Sequence, residues 1–184
     1  MGYRLSDRLF LAVDLTDEVA HGLAAFLERE AMRLPGRPTP PANWHLTIRF
    51  LGSTTALQRD RILEFLDEHL AVEPFRMSFG GLGAFPKPVR ATVLWLAVER
   101  GADRLATMAE ISDLAAQAAG FDPEDRPFHA HLTLSRIRPP MNVVPLIDRI
   151  PRFPLSMQVN RLTLYRSHMS RDGATYEALD SVEL

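Results

Sequence analysis

The strongest constraint in the sequence is a phrase that occurs twice, His45-Leu46-Thr47-Ile48 and His131-Leu132-Thr133-Leu134, 86 residues apart in a chain of 184. With six His, ten Thr and 26 Leu available, chance supplies about 0.3 His-x-Thr pairs and about 0.05 with Leu between them, so two copies are signal. In each copy a His and a Thr stand two apart among apolar residues. That is the period of a half-buried strand, which sends both polar side chains to one face and leaves Leu46, Ile48 and Phe50 to point into a core. Burying two such pairs without a task would cost roughly 1–3 kcal/mol for each group left unsatisfied. The motifs therefore predict a cleft into which two strands each deliver an imidazole beside a hydroxyl.

Imidazole suits proton transfer because its ordinary pKa of about 6.5 lets one ring be a neutral base while its partner is a charged acid near neutrality. Such a pair needs neither a metal nor a covalent nucleophile. His45 and His131 are the candidate catalytic residues, and Thr47 and Thr133 the candidate donors to non-bridging phosphoryl oxygens. Arg49, four residues beyond His45, shares its face in a regular strand and is a candidate phosphate ligand. Arg136, five residues beyond His131, falls on the opposite face unless a bulge intervenes. Tyr165 belongs to the polar cluster Tyr165-Arg166-Ser167 on an otherwise apolar strand and is a candidate for the cleft wall. His129 is a candidate for its rim.

Composition narrows the partners. A net charge of −2 and a pI near 6.3 supply no global positive field, so a long duplex is excluded while one or a few phosphates remain compatible. The absence of Cys removes disulfides, thiolate nucleophiles and thiolate zinc sites together. The opening Met1-Gly2-Tyr3-Arg4 lacks the apolar run of a signal peptide or membrane span. The expectation is a cytoplasmic monomer that needs no metal or cofactor.

In chain order, Leu9 to Leu15 reads as a buried strand, followed by a helix capped at Thr16 or Asp17 and stopped by Pro35-Gly36. A stiff connector, Arg37 to Pro41, leads to the first motif strand, Trp44 to Leu51, which Gly52 ends. A second helix follows from Thr54 or Thr55. Phe75 to Phe79 alternates like a strand before a glycine-rich turn, Gly80 to Pro86. Thr92 to Val98 is a strand, Asp103 to Ala119 a helix ended by Gly120, and Phe121 to Pro127 a loop. Phe128 to Arg136 is the second motif strand, closed by Pro139-Pro140. A short helix over Val143 to Ile150 precedes strands at Leu155 to Val159, Arg161 to Ser167 and Ala174 to Leu179, with Asp172-Gly173 as a hairpin turn. The pattern predicts one bilobal α+β domain over residues 1–184, with mostly antiparallel sheets and halves that face each other across a cleft.

The two H-x-T-x motifs resemble the signature of the two-histidine phosphoesterase superfamily. Arg8 to Leu15, Trp44 to Gly52, Gly83-Ala84-Phe85-Pro86, Leu94-Trp95-Leu96 and Leu164 to Ser167 are similar to the bacterial RNA 2',3'-cyclic phosphodiesterases, also called 2'-5' RNA ligases. The sequence departs from the commonest pattern at Ala130 and Trp44. The resemblance implies two sheets flanking a water-filled cleft with pseudo-twofold duplication. It also implies metal-free hydrolysis of the 2',3'-cyclic phosphate end of RNA, on tRNA fragments or oligonucleotides, to a 2'-phosphate. In that scheme His131 is the proton acceptor and His45 the proton donor, Thr47 and Thr133 hold phosphoryl oxygens, and reversal gives 2'-5' ligation. Three rival readings stand beside it: a zinc site of His45, His129 and His131, a non-catalytic module that holds RNA ends, and a phosphodiesterase for a small cyclic nucleotide or ADP-ribose cyclic phosphate.

Overall fold

The computed structural model describes residues 6–30, 32–171 and 173–184. Among them, nine strands form two antiparallel sheets, one ordered β3-β1-β8-β9 and the other β2-β6-β5-β4-β7. The strands are β1 (Asp7–Asp14), β2 (Arg37–Pro38), β3 (His45–Thr54), β4 (Phe75–Phe85), β5 (Ala91–Arg100), β6 (His131–Met141), β7 (Ser156–Val159), β8 (Arg161–Ser170) and β9 (Gly173–Glu183). The helices are α1 (Asp17–Arg29), α2 (Ala56–His69), α3 (Ala102–Ala118) and α4 (Val144–Arg149). Asp172, half of the expected hairpin turn, lies outside the described residues. So does the opening Met1 to Arg4. No helix among the described residues is long and apolar enough to cross a membrane.

Two helices, α1 and α2, begin where a threonine offers a hydrogen-bond acceptor for the free N–H groups of the first turn. The Thr16 hydroxyl accepts from the Val19 amide, and Thr55 with Gln58 forms a reciprocal capping box. The helices then pack across the two halves of the chain. Phe26 of α1 meets Phe153, just ahead of β7, at 5.3 Å between ring centroids, while α3 lies against β3. The expected α+β fold with two antiparallel sheets is present, and strands are exchanged between the two halves of the sequence. The sheet holding β3 is completed by β8 and β9 from the end of the chain, and the sheet holding β6 takes β2 and β4 from its first half. Each lobe is built from both halves because an antiparallel edge is satisfied by whichever strand matches its hydrogen-bonding groups, regardless of sequence order.

Three differences from the sequence reading bear on the cleft. Gly52 does not end β3: the strand continues to Thr54, with Gly52 at a φ of 71° beside one of two register shifts. Those shifts put Leu51 in the core and leave Phe50, expected inside, 59% exposed. The glycine-rich stretch is the second half of β4 rather than a turn, because the Trp95 ring of β5 lies where a Gly83 side chain would stand, 2.1 Å from an added Cβ. The second motif strand starts at His131 and runs through Pro139-Pro140, since the sheet edge beyond Arg136 needs no donor there.

Candidate active site

The two motif strands sit in different sheets and meet at one cleft. A cavity of about 600 Å³ is lined by Thr47, Arg49 and Phe50 from β3 and by His131, Thr133 and Arg136 from β6, among others. His45 joins it through Thr47, whose hydroxyl lies 3.0 Å from the ring's Nε2. A cavity of similar volume beside Asp7, Arg8 and His168 holds no motif residue.

Both imidazoles are oriented in the same way. Nδ1–H of His45 donates to the carbonyl of Asn43 at 2.9 Å, and Nδ1–H of His131 donates to the carbonyl of His129 at 2.7 Å. In each case the acceptor is two residues upstream, where the chain is about to enter the strand. An N–H held on Nδ1 leaves Nε2 as the working nitrogen of each ring. The chain leading into β3 is tied to both sheets: Asn43 donates from its side chain to the Ala174 carbonyl of β9 at 2.7 Å, and Thr39 N–H donates to the Leu134 carbonyl of β6 at 2.8 Å.

Aromatic walls stand behind each ring. Phe10 lies 4.9 Å from His45, with Tyr176 at 5.1 Å on the ring's edge, while Phe85 lies 5.0 Å from His131 with Trp95 at 6.1 Å. Burial by these walls is the main reason that both rings hold their protons less tightly than an ordinary imidazole. The Asn43 carbonyl and the Asp14 carboxylate oppose the shift at His45, and the carbonyl of His129 opposes it at His131. The charges of His131 and Arg136 push His45 down further, so the three groups share one field.

The remaining candidates divide. Arg136 reaches the cleft because a register shift opposite Leu94 and Trp95 makes Leu134 and Ser135 both buried and turns the next residue outward. Arg49 lines the cavity, but its guanidinium is engaged by Asp113, Asp122 and Phe50. Tyr165 stands behind His45 rather than on the cavity wall. Its ring stacks on Phe10 at 5.3 Å, and its hydroxyl donates to Asp14 at 2.5 Å, which together with burial keeps it protonated far above the ordinary tyrosine range. His129 lines the cavity with its ring against Trp95 at 4.8 Å. His45, His129 and His131 do not converge as a ligand set: no group of three His, Asp or Glu able to hold a metal ion occurs among the described residues.

Sequence reasoning missed Asp14, although a lone carboxylate closing the run Leu9 to Val13 was a signal. It also missed the Asn43 and His129 carbonyls, which leave no trace in residue identity.

Two imidazoles presenting Nε2, two hydroxyls and a guanidinium around one cleft are the equipment for cleaving a phosphoester by proton transfer. The chain belongs to the LigT-like phosphoesterase family, whose model matches it twice, over residues 13–95 and 96–176. Among curated proteins, an RNA 2',3'-cyclic phosphodiesterase from Aeropyrum pernix is 32% identical over 82% of this chain and 87% of its own length. One of the same name from Thermus thermophilus is 33% identical over 96% and 90% respectively. Escherichia coli LigT, solved without ligand, superposes with a TM-score of 0.78 at 26% identity, covering 97% of this chain and 98% of its own, and it has also been solved with 3'-AMP.

Proposed function

We propose that this protein hydrolyses the 2',3'-cyclic phosphate end of RNA to a 2'-phosphate by metal-independent acid–base catalysis, acting in the cytoplasm as a single bilobal unit. The observation that carries the reading is the matched pair of carbonyl clamps, which give two half-buried imidazoles the same tautomer and leave Nε2 of each for one cleft. The names of the relatives supply the substrate class.

In the proposed reaction a water oxygen attacks phosphorus and its proton passes to Nε2 of His131. The bond from phosphorus to O3' breaks, and His45, entering protonated, gives its Nε2 proton to O3'. The phosphate remains on O2'. In the free enzyme Thr47 accepts from the protonated His45 ring; with substrate in place that Nε2–H turns to O3' and the Thr47 hydroxyl donates to a phosphoryl oxygen, while Thr133 donates to another. Arg136 offsets the negative charge that grows on those oxygens. The same steps with an RNA 5'-hydroxyl attacking phosphorus in place of water, its proton passing to His131 and O3' leaving with the proton of His45, give a 2'-5' bond.

The test is turnover of a nucleoside 2',3'-cyclic phosphate in excess chelator, with the product identified. The expected product is the 2'-phosphate. Exclusive 3'-phosphate would reverse the two histidine roles, loss of turnover in chelator would sink metal independence, full turnover by H45A and H131A would remove both rings from the reaction, and binding of the RNA end without any turnover would leave only an RNA-end binding module.

A further inference from the structure

We propose that Arg49 is a strut between the strand of one imidazole and the segment that leads from α3 to the other, a positioning residue that sets the geometry across the cleft rather than a ligand of the substrate; the proposal rests on the reaction assigned above. Arg49 belongs to β3, the strand of His45, yet most of its partners lie in the segment that leads to His131. Nε donates to Asp113 Oδ1 on α3 at 2.8 Å, and Nη2 donates to the Asp122 carbonyl at 2.7 Å. Nη1 donates to its own strand's Phe50 carbonyl at 2.9 Å and lies 3.5 Å from Glu124 Oε2. Asp113 is itself fixed, accepting from the Glu124 amide at 3.0 Å and from Gln117 Nε2 at 2.9 Å.

The Arg49 side chain is only 11% exposed. All three of its nitrogens are occupied in a planar arrangement that a lysine cannot reproduce. A phosphate seeking this guanidinium would have to displace a carboxylate and a main-chain carbonyl. The loop that Arg49 holds, at Asp122 and Glu124, continues to His129, whose carbonyl fixes Nδ1 of His131. Arg49 thus ties the strand of one imidazole to the loop that, five residues beyond Glu124, carries the group that orients the other. Misplacement by 1 Å between reacting groups costs about 100-fold in rate, so the strut acts on kcat.

The experiment compares R49M, R49K, D113N and R49M/D113N with the wild type in steady-state turnover of a nucleoside 2',3'-cyclic phosphate. R49M and D113N are each expected to lower kcat about 10- to 100-fold with KM within about threefold, and the double variant to be no worse than the poorer single one. R49K keeps the charge without the fork and falls between. A rise in KM for R49M with kcat intact, together with a harmless D113N, would make Arg49 a phosphate ligand and overturn the proposal. Ring-nitrogen NMR titration of the free protein gives a readout independent of turnover. The charged groups acting on His131 are His129 and Arg136, so a displaced titration of His131 in both R49M and D113N reports a moved ring, and unchanged titration in both would overturn the strut. Should the wild type fail to turn over the substrate, the assigned reaction falls while the titration still decides the strut. If R49M does not fold, R49K and D113N carry both measurements.

Discussion

Asp14 stands directly opposite His45 in the register of β1 and β3, yet its carboxylate accepts from Thr163 at 2.7 Å and Tyr165 at 2.5 Å, while the ring's two nitrogens go to Asn43 and Thr47. The carboxylate therefore acts on the imidazole through space, favouring its charged form against the burial that disfavours it. In D14N that support is gone and the His45 pKa falls further. If His45 is the acid, kcat/KM loses activity on the alkaline side as that ring deprotonates, so the alkaline limb moves to lower pH while the acid limb set by His131 stays. The pH profile of kcat/KM checks this, and an alkaline limb that does not move would remove Asp14 from the acid's surroundings.

The same burial makes stability depend on pH. Both imidazoles are held below their ordinary value of 6.5 when folded. Between the folded and unfolded values the unfolded chain therefore binds more protons, and the folded state loses stability as pH drops. The loss begins as pH falls through 6.5 and is complete below the lowered folded values. Thermal unfolding of the wild type at pH 7.5 and pH 5 should show the drop, and H45Q/H131Q should show less of it. An equal drop in that double variant would assign the dependence to other groups.

How much was legible follows from what residue identity can record. The motif strands, the α1 and α2 caps and the cleft between two sheets were readable because period-2 alternation, Thr16, Thr55 and a duplicated His-x-Thr are written in side chains. Phe50 was misplaced because register shifts in β3 depend on the partner strand β1, which no local pattern encodes. The same physics ran the other way at Arg136, which the bulge in β6 brings to the cleft. The glycine-rich stretch read as a turn because its true constraint, the Trp95 ring across the sheet, is not local. Arg49 shows a different limit. The face it occupies could be inferred, but not that Asp113, 64 residues away, would take its charge.

Gly83 offers a stability test of that cross-strand constraint. An added Cβ would lie 2.1–2.5 Å from three carbons of the Trp95 ring, so G83A must displace the indole. Overpacking of this kind costs about 1–3 kcal/mol. Trp95 also packs on His129 and His131, so kcat should fall with the stability. Removing the obstructing ring in G83A/W95L should recover part of the stability lost by G83A, measured by urea unfolding. If the double variant is as unstable as the sum of the singles, the clash with Trp95 is not the cause.

Thr47 and Thr133 occupy equivalent places in their motifs, but of the two only Thr47 has its hydroxyl on the Nε2 nitrogen of its neighbouring histidine, 3.0 Å from His45. Valine in place of either threonine keeps the strand and removes one donor to a charged phosphoryl oxygen. A hydrogen bond to a charged group contributes about 1.5–3 kcal/mol, so each variant should lose about 10- to 100-fold in kcat. The pH profiles should differ. T133V leaves the hydrogen bonds of both rings in place, so its limbs stay where the wild type has them. T47V takes away the acceptor that steadies the protonated His45 ring, which lowers its proton affinity and moves the alkaline limb to lower pH, the same direction as D14N. Equal rate losses with only the T47V profile displaced would assign both hydroxyls to the phosphate and one of them also to the acid. Displacement in both variants, or in neither, would contradict the asymmetry of the hydrogen bonds.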